Sequence, residues 1–159
     1  MLMTRIFLVV FFFTFLQSHA EAAEDDFIRI IKDDLFIKST ICRGGSMFWH
    51  IIGVKRLNGY TQEDVLKMQE EPDERFTPFL KDFYSIPKEY LFDYMVIQHG
   101  QCVENSLQIP QQKAAACYKQ YLQPYFFKLY GPNPASGPLP ISQMVEADGG
   151  YLSCMKSVG

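Results

Sequence analysis

The stretch STICRGGSMFWHIIGVKRLNG, residues 39–59, decides the fold class. Ser39 and Thr40 offer an N-terminal cap, the spacing predicts a helix over Ile41–Leu57, and Asn58-Gly59 is a C-terminal stop. Cys42, Gly45, Trp49, Ile52 and Arg56 recur at steps of three and four, so they share one helical face. Gly44 and Gly45 each weaken such a helix by about 1 kcal/mol. Gly45 and Gly53 are expected, in return, to admit a close neighbour.

Working outward, the same helical period continues. The acidic, apolar lead-in Asp25–Lys38 fits helix or strand. Thr61-Gln-Glu-Asp64 has the form of a capping box opening a short helix. A further helix is expected from Pro72-Asp73-Glu74, with Phe76, Phe79, Leu80 and Phe83 facing inward. The Ile86-Pro87 step begins another, whose stripe is Leu91, Tyr94, Met95, Gln98 and Cys102. Pro110 opens a fifth, carrying Ala114, Cys117, Tyr118, Tyr121 and Leu122. Pro124 would cost that helix roughly 3 kcal/mol as an interior residue, which predicts a kink or restart there. Residues 131–140 (GPNPASGPLP) form a loop, and the tail beyond is expected to hold one or two helical turns, broken at Gly149-Gly150.

The first 22 residues read as a cleaved secretory signal. Arg5 supplies the basic start, Ile6–Leu16 an apolar run, and Ala20-Glu21-Ala22 the small-residue step before cleavage. The run is about 11 residues, against the roughly 20 that span a bilayer. The remainder, 23–159, is long enough for one domain. No basic block stands in it, which argues against nucleic acid as a partner. No second long apolar run occurs, so no membrane span is expected after cleavage. The expected location is periplasmic or secreted.

All four cysteines, Cys42, Cys102, Cys117 and Cys154, follow the signal, and an even number in an exported chain reads as two disulfides. Their spacings lack the close pairs of a zinc site. Cys42 and Cys102 lie on the apolar stripes of two helices and can meet between them, leaving Cys117 to tether the tail through Cys154. A Cys102–Cys117 link across a helix-loop-helix is the alternative pairing. His50 and His99 are expected as partly exposed polar residues. No nucleophile, phosphate-loop or metalloprotease motif is present, so neither cofactor nor metal nor catalytic residue is assigned.

Across Cys42–Cys102, the residues Cys42, Arg56, Gly59, Thr61, Tyr84, Pro87 and Cys102 resemble a pattern of small exported, disulfide-containing, all-α proteobacterial proteins of unknown function. A cysteine-bearing helix there runs into an Arg-x-x-Gly turn, a capped short helix, a Tyr-x-x-Pro step and a helix ending in the second cysteine. The resemblance covers under half of the exported chain and implies an all-α fold and a Cys42–Cys102 bond, without an activity. Gly44-Gly45 and the segment with Cys117 and Cys154 depart from it. In size, signal and disulfides the chain is also similar to the helical periplasmic immunity proteins of type VI secretion systems.

The expectation is therefore a single all-α domain of about five helices, stapled by two disulfides. Its expected role is non-catalytic binding of another protein, as an immunity-type or adaptor protein. The alternatives are a carrier of small hydrophobic ligands or a chaperone-like binder, and then a small secreted enzyme. The aromatic segment Tyr118–Tyr130 supplies the candidate partner surface, Tyr121, Tyr125 and Tyr130, because tyrosine is favoured at binding hot spots.

Overall fold

In the computed structural model, which describes residues 23–68, 76–131 and 133–157, a helix over 23–31 (α1) leads to the longest element, α2 (Asp34–Leu57). Helix α2 starts earlier than the capping residues Ser39 and Thr40 imply. Asp33 is the cap, its carboxylate accepting from the Leu35 amide at 3.0 Å. Ser39 and Thr40 instead lie inside the helix and donate their hydroxyls back to the Phe36 carbonyl. The helix ends at Asn58, and Gly59 turns the chain with a φ of +89°.

Thr61 then caps α3 (Gln62–Lys67) with the reciprocal Asp64 bond of a capping box. Helix α4 (Phe76–Ser85) follows, its expected start at Pro72-Asp73-Glu74 lying outside the described residues, as does the signal assigned to 1–22. A single 3₁₀ turn after Pro87 (Lys88–Tyr90) feeds α5 (Leu91–Leu107). Pro110 opens α6 (Gln111–Cys117). A π-turn over Tyr118–Leu122 links it to α7 (Gln123–Tyr130). The Gln123 amide reaches back five residues to the Tyr118 carbonyl. This wider turn accommodates Pro124, which has no amide hydrogen to give and whose ring would crowd the preceding turn.

The tail departs most from expectation. Ile141–Lys156 is one continuous helix, α8, running through Gly149 and Gly150. A Cβ at Gly150 would collide with the Tyr121 ring, so this glycine lets α8 lie against the π-turn. The about 1 kcal/mol that glycine costs a helix is offset by burial of Ala147, Tyr151, Leu152 and Met155. From Asp34 onward the described residues thus form seven α-helices rather than about five. The five expected helices omit the helical tail and count the chain on both sides of Pro124 as one.

Helices α2 and α5 lie antiparallel, since Cys42 is bonded to Cys102 near one end and Gly53 meets Met95 near the other. Cys117 is bonded to Cys154, joining α6 to α8, which excludes the Cys102–Cys117 alternative. On the chain-entropy model each loop is worth about 4 kcal/mol. A larger core collects Cys42, Val103, Cys117, Tyr118, Leu122 and Tyr151, and a smaller one Ile52, Val65, Leu80, Phe83, Leu91 and Met95. Arg56 and Tyr84 tie together the segments around the smaller core. Arg56 donates to the Phe83 carbonyl at 2.7 Å and to that of Ile86, while the Tyr84 hydroxyl donates to the Tyr60 carbonyl at 2.9 Å. Among the described residues no helix is long and apolar enough to cross a membrane.

Candidate functional site

Where the two cores adjoin, a groove of about 560 Å³ runs over the seam of α2 and α5. One wall is the α2 face Ile41, Gly45 and Trp49, with Cys42 and Ser46 below. The other is the α5 stripe Tyr94, Met95, Gln98 and Cys102, joined by His99, and Phe79 of α4 stands at the rim. Of the expected α5 stripe, Leu91 and Met95 are buried in the core, whereas Tyr94, Gln98 and Cys102 stay partly exposed, because a helical period marks an apolar face without telling how much of it another element covers. Phe79 is corrected likewise: it is not inward but 64% exposed, and Ile41 is 84% exposed.

Gly45 stands in the α2 wall with open space above it. A Cβ built there meets nothing within 4 Å, so the glycine serves no close approach of another element, contrary to the expectation for it. The expectation holds at Gly53, where the Met95 methyl occupies the missing side chain's place. At one end of the groove the Cys42–Cys102 bond forms the wall. At the other, Trp49 stacks on Phe83 and Phe76 with ring centroids 4.9 and 5.6 Å apart.

The floor is polar and closed. His99, 1% exposed, has Nδ1 2.8 Å from Ser46 Oγ and Nε2 2.8 Å from the Tyr151 hydroxyl. Ser46 donates its one proton to the Cys42 carbonyl at 2.8 Å. Bonded on both sides, the ring is a strut from α5 to α2 and α8. Burial, aided by the Arg43 charge and opposed by a bond to the Cys42 carbonyl, lowers the His99 pKa to about 4. Tyr118 stacks on the ring at 4.4 Å, and burial raises its own phenol well above the usual range.

His50 is also buried, against the expectation of partial exposure. It sits among Phe92, Phe126 and Phe127, and neither ring nitrogen has a hydrogen-bond partner. Desolvation lowers its pKa to about 4. Polarity places histidines at the surface when sequence is read alone. The partners that bury His99, Ser46 and Tyr151, lie 53 and 52 residues away along the chain, where no local period reaches. A buried ion pair of Arg43 with Asp148 ties α2 to α8, and burial raises the Asp148 carboxyl despite its partner.

Tyr121, Tyr125 and Tyr130 are each half-buried. Tyr121 and Tyr125 edge a shallow cleft of about 130 Å³ with Gln143 and Glu146 of α8. Among the described residues, no three His, Cys, Asp or Glu side chains gather where they could hold a metal ion. No protein-family model, no curated protein and no solved structure matches the chain.

Proposed function

We propose that this is an exported, non-catalytic binding protein that receives another protein in the α2–α5 groove. The observation that carries the reading is Gly45, which costs α2 about 1 kcal/mol of helix propensity and fills no packing need, since a Cβ there meets nothing. It lines a groove rimmed by solvent-exposed Ile41 and Phe79, into whose space a larger side chain would project. Apolar side chains grouped at the surface mark interaction sites. Export is supported by the signal-like leader and by two disulfides, which persist in oxidising compartments. An immunity-type protein that masks a toxin is one concrete form of this role.

The volume also favours a second reading, a carrier of small hydrophobic ligands, since such sites typically measure about 300–1,000 Å³. Photo-crosslinking in the source cells separates the two. A photoreactive residue at Ile41 or Phe79 is expected to capture a protein, while one at Ile141, also apolar and exposed but on α8, captures none. Capture of lipid at Ile41 would replace the protein-binding reading by the carrier reading. The same adducts at all three positions would refute a dedicated groove.

A further inference from the structure

We propose that the occupant of the groove is the apolar face of an amphipathic α-helix, with uncharged anchors at i, i+3 or i+4, and i+7. The proposal rests on the reading of the groove as a protein-binding site. Three features of the groove lead to it.

The first is its length and period. The walls run from Ile41 through Gly45 to Trp49, and from Tyr94 through Gln98 to Cys102, each in steps of four residues. Eight residues of helix rise about 12 Å, so both walls span a little over two turns. Anchors at i and i+7 on a docked helix lie about 10.5 Å apart and fit within that length. Walls ridged at the helical turn also interdigitate with a third helix of the same period.

The second is charge. Among the described residues that line the groove there is no Asp, Glu, Lys or Arg. His99 on the floor stays neutral at pH 7, its pKa lowered to about 4 by burial. A fatty-acid carboxylate or a phosphate head would find no cation inside, whereas a docked helix leaves its charges on the outer face. The third is the open side. Ile41 and Phe79 form exposed lips, and Gly45 leaves the α2 wall low between them. A wholly apolar ligand would keep one side in water, whereas an amphipathic helix has a polar face for that side.

Selection from a displayed library of helix-forming peptides tests this, using the oxidised chain from Ala23 onward as bait. The expected consensus carries apolar, uncharged residues at i, i+3 or i+4, and i+7. Because a Leu at position 45 projects into the groove, Gly45→Leu should weaken the selected peptides at least about tenfold. Gly44→Leu, on the same helix with open space at its Cβ and outside the groove lining, should bind nearly as the parent does. Circular dichroism confirms that each variant is folded. A consensus without helical period, or undiminished binding to Gly45→Leu, overturns the helical occupant and leaves the binding-protein reading to the cross-links. If no peptide is enriched while monoolein binds the parent and not Gly45→Leu, the groove holds apolar chains and the proposal fails. If neither peptide nor monoolein binds, the groove reading falls with it.

Discussion

Acid should unfold this protein well above the pH at which its carboxylates protonate, and the two buried histidines set the size of the effect. In the folded state His50 and His99 each have a pKa lowered to about 4, against the ordinary 6.5. A group whose folded pKa is lowered binds its proton more readily when unfolded. Its contribution is therefore fully present above about pH 6.5 and is lost as pH falls toward 4. At about pH 5, linkage gives a loss of about 2 kcal/mol for each ring, or about 4 kcal/mol together. Domains are commonly stable by only about 5–15 kcal/mol, so this is a large share. Asp148 acts in the opposite sense, because burial raises its carboxyl and acid relieves it. Urea denaturation of the oxidised protein at pH 7 and pH 5 measures the difference. His50→Leu removes one titrating ring and two unpartnered nitrogens, and it should remove about half of the acid loss. Equal stability at the two pH values, or an undiminished acid loss in His50→Leu, would refute the reasoning.

Other perturbations follow from the same contacts. Gly150→Ala should destabilise by about 1–3 kcal/mol, because the new methyl enters the Tyr121 ring and one of the two helices must shift; thermal melts check it. Tyr151→Phe should cost about 1–3 kcal/mol by leaving the buried His99 Nε2 without its partner, and a variant as stable as the parent would show that bond to be idle. Replacing Cys117 and Cys154 by serine should lower the melting temperature while hydrogen exchange still finds α8 protected. That helix is also held by Tyr151, Leu152, Met155 and the Arg43–Asp148 pair, so free exchange throughout 141–156 would contradict its place in the core.

Local chemistry was the legible part of this chain. The Thr61 capping box, the stop at Asn58-Gly59, the opening at Pro110 and the break forced by Pro124 each follow from one or two residues, and each stands in the structure. Cys42 and Cys102 on the stripes of two helices suggested one disulfide and left Cys117 for the tail, while only the structure removes the Cys102–Cys117 alternative. What could not be read is set by distant partners. Gly149-Gly150 spells a break until the Tyr121 ring is packed on it, and Ser39-Thr40 reads as a cap until Asp33 takes that role. The groove escaped for a different reason. Tyr94, Met95, Gln98 and Cys102 carry the period of a core stripe, and only the empty space above Gly45 distinguishes a wall from a packed face.

The central claim is that binding takes place between α2 and α5. Amide chemical shifts of the isotope-labelled protein, followed as a selected helical peptide or the captured partner is added, test it most directly. The account predicts saturable shifts at Ile41, Gly45, Trp49, Tyr94 and Gln98, with Tyr121, Tyr125 and Tyr130 unmoved. Shifts confined to those three tyrosines would contradict it and return the binding surface to α7 and the π-turn.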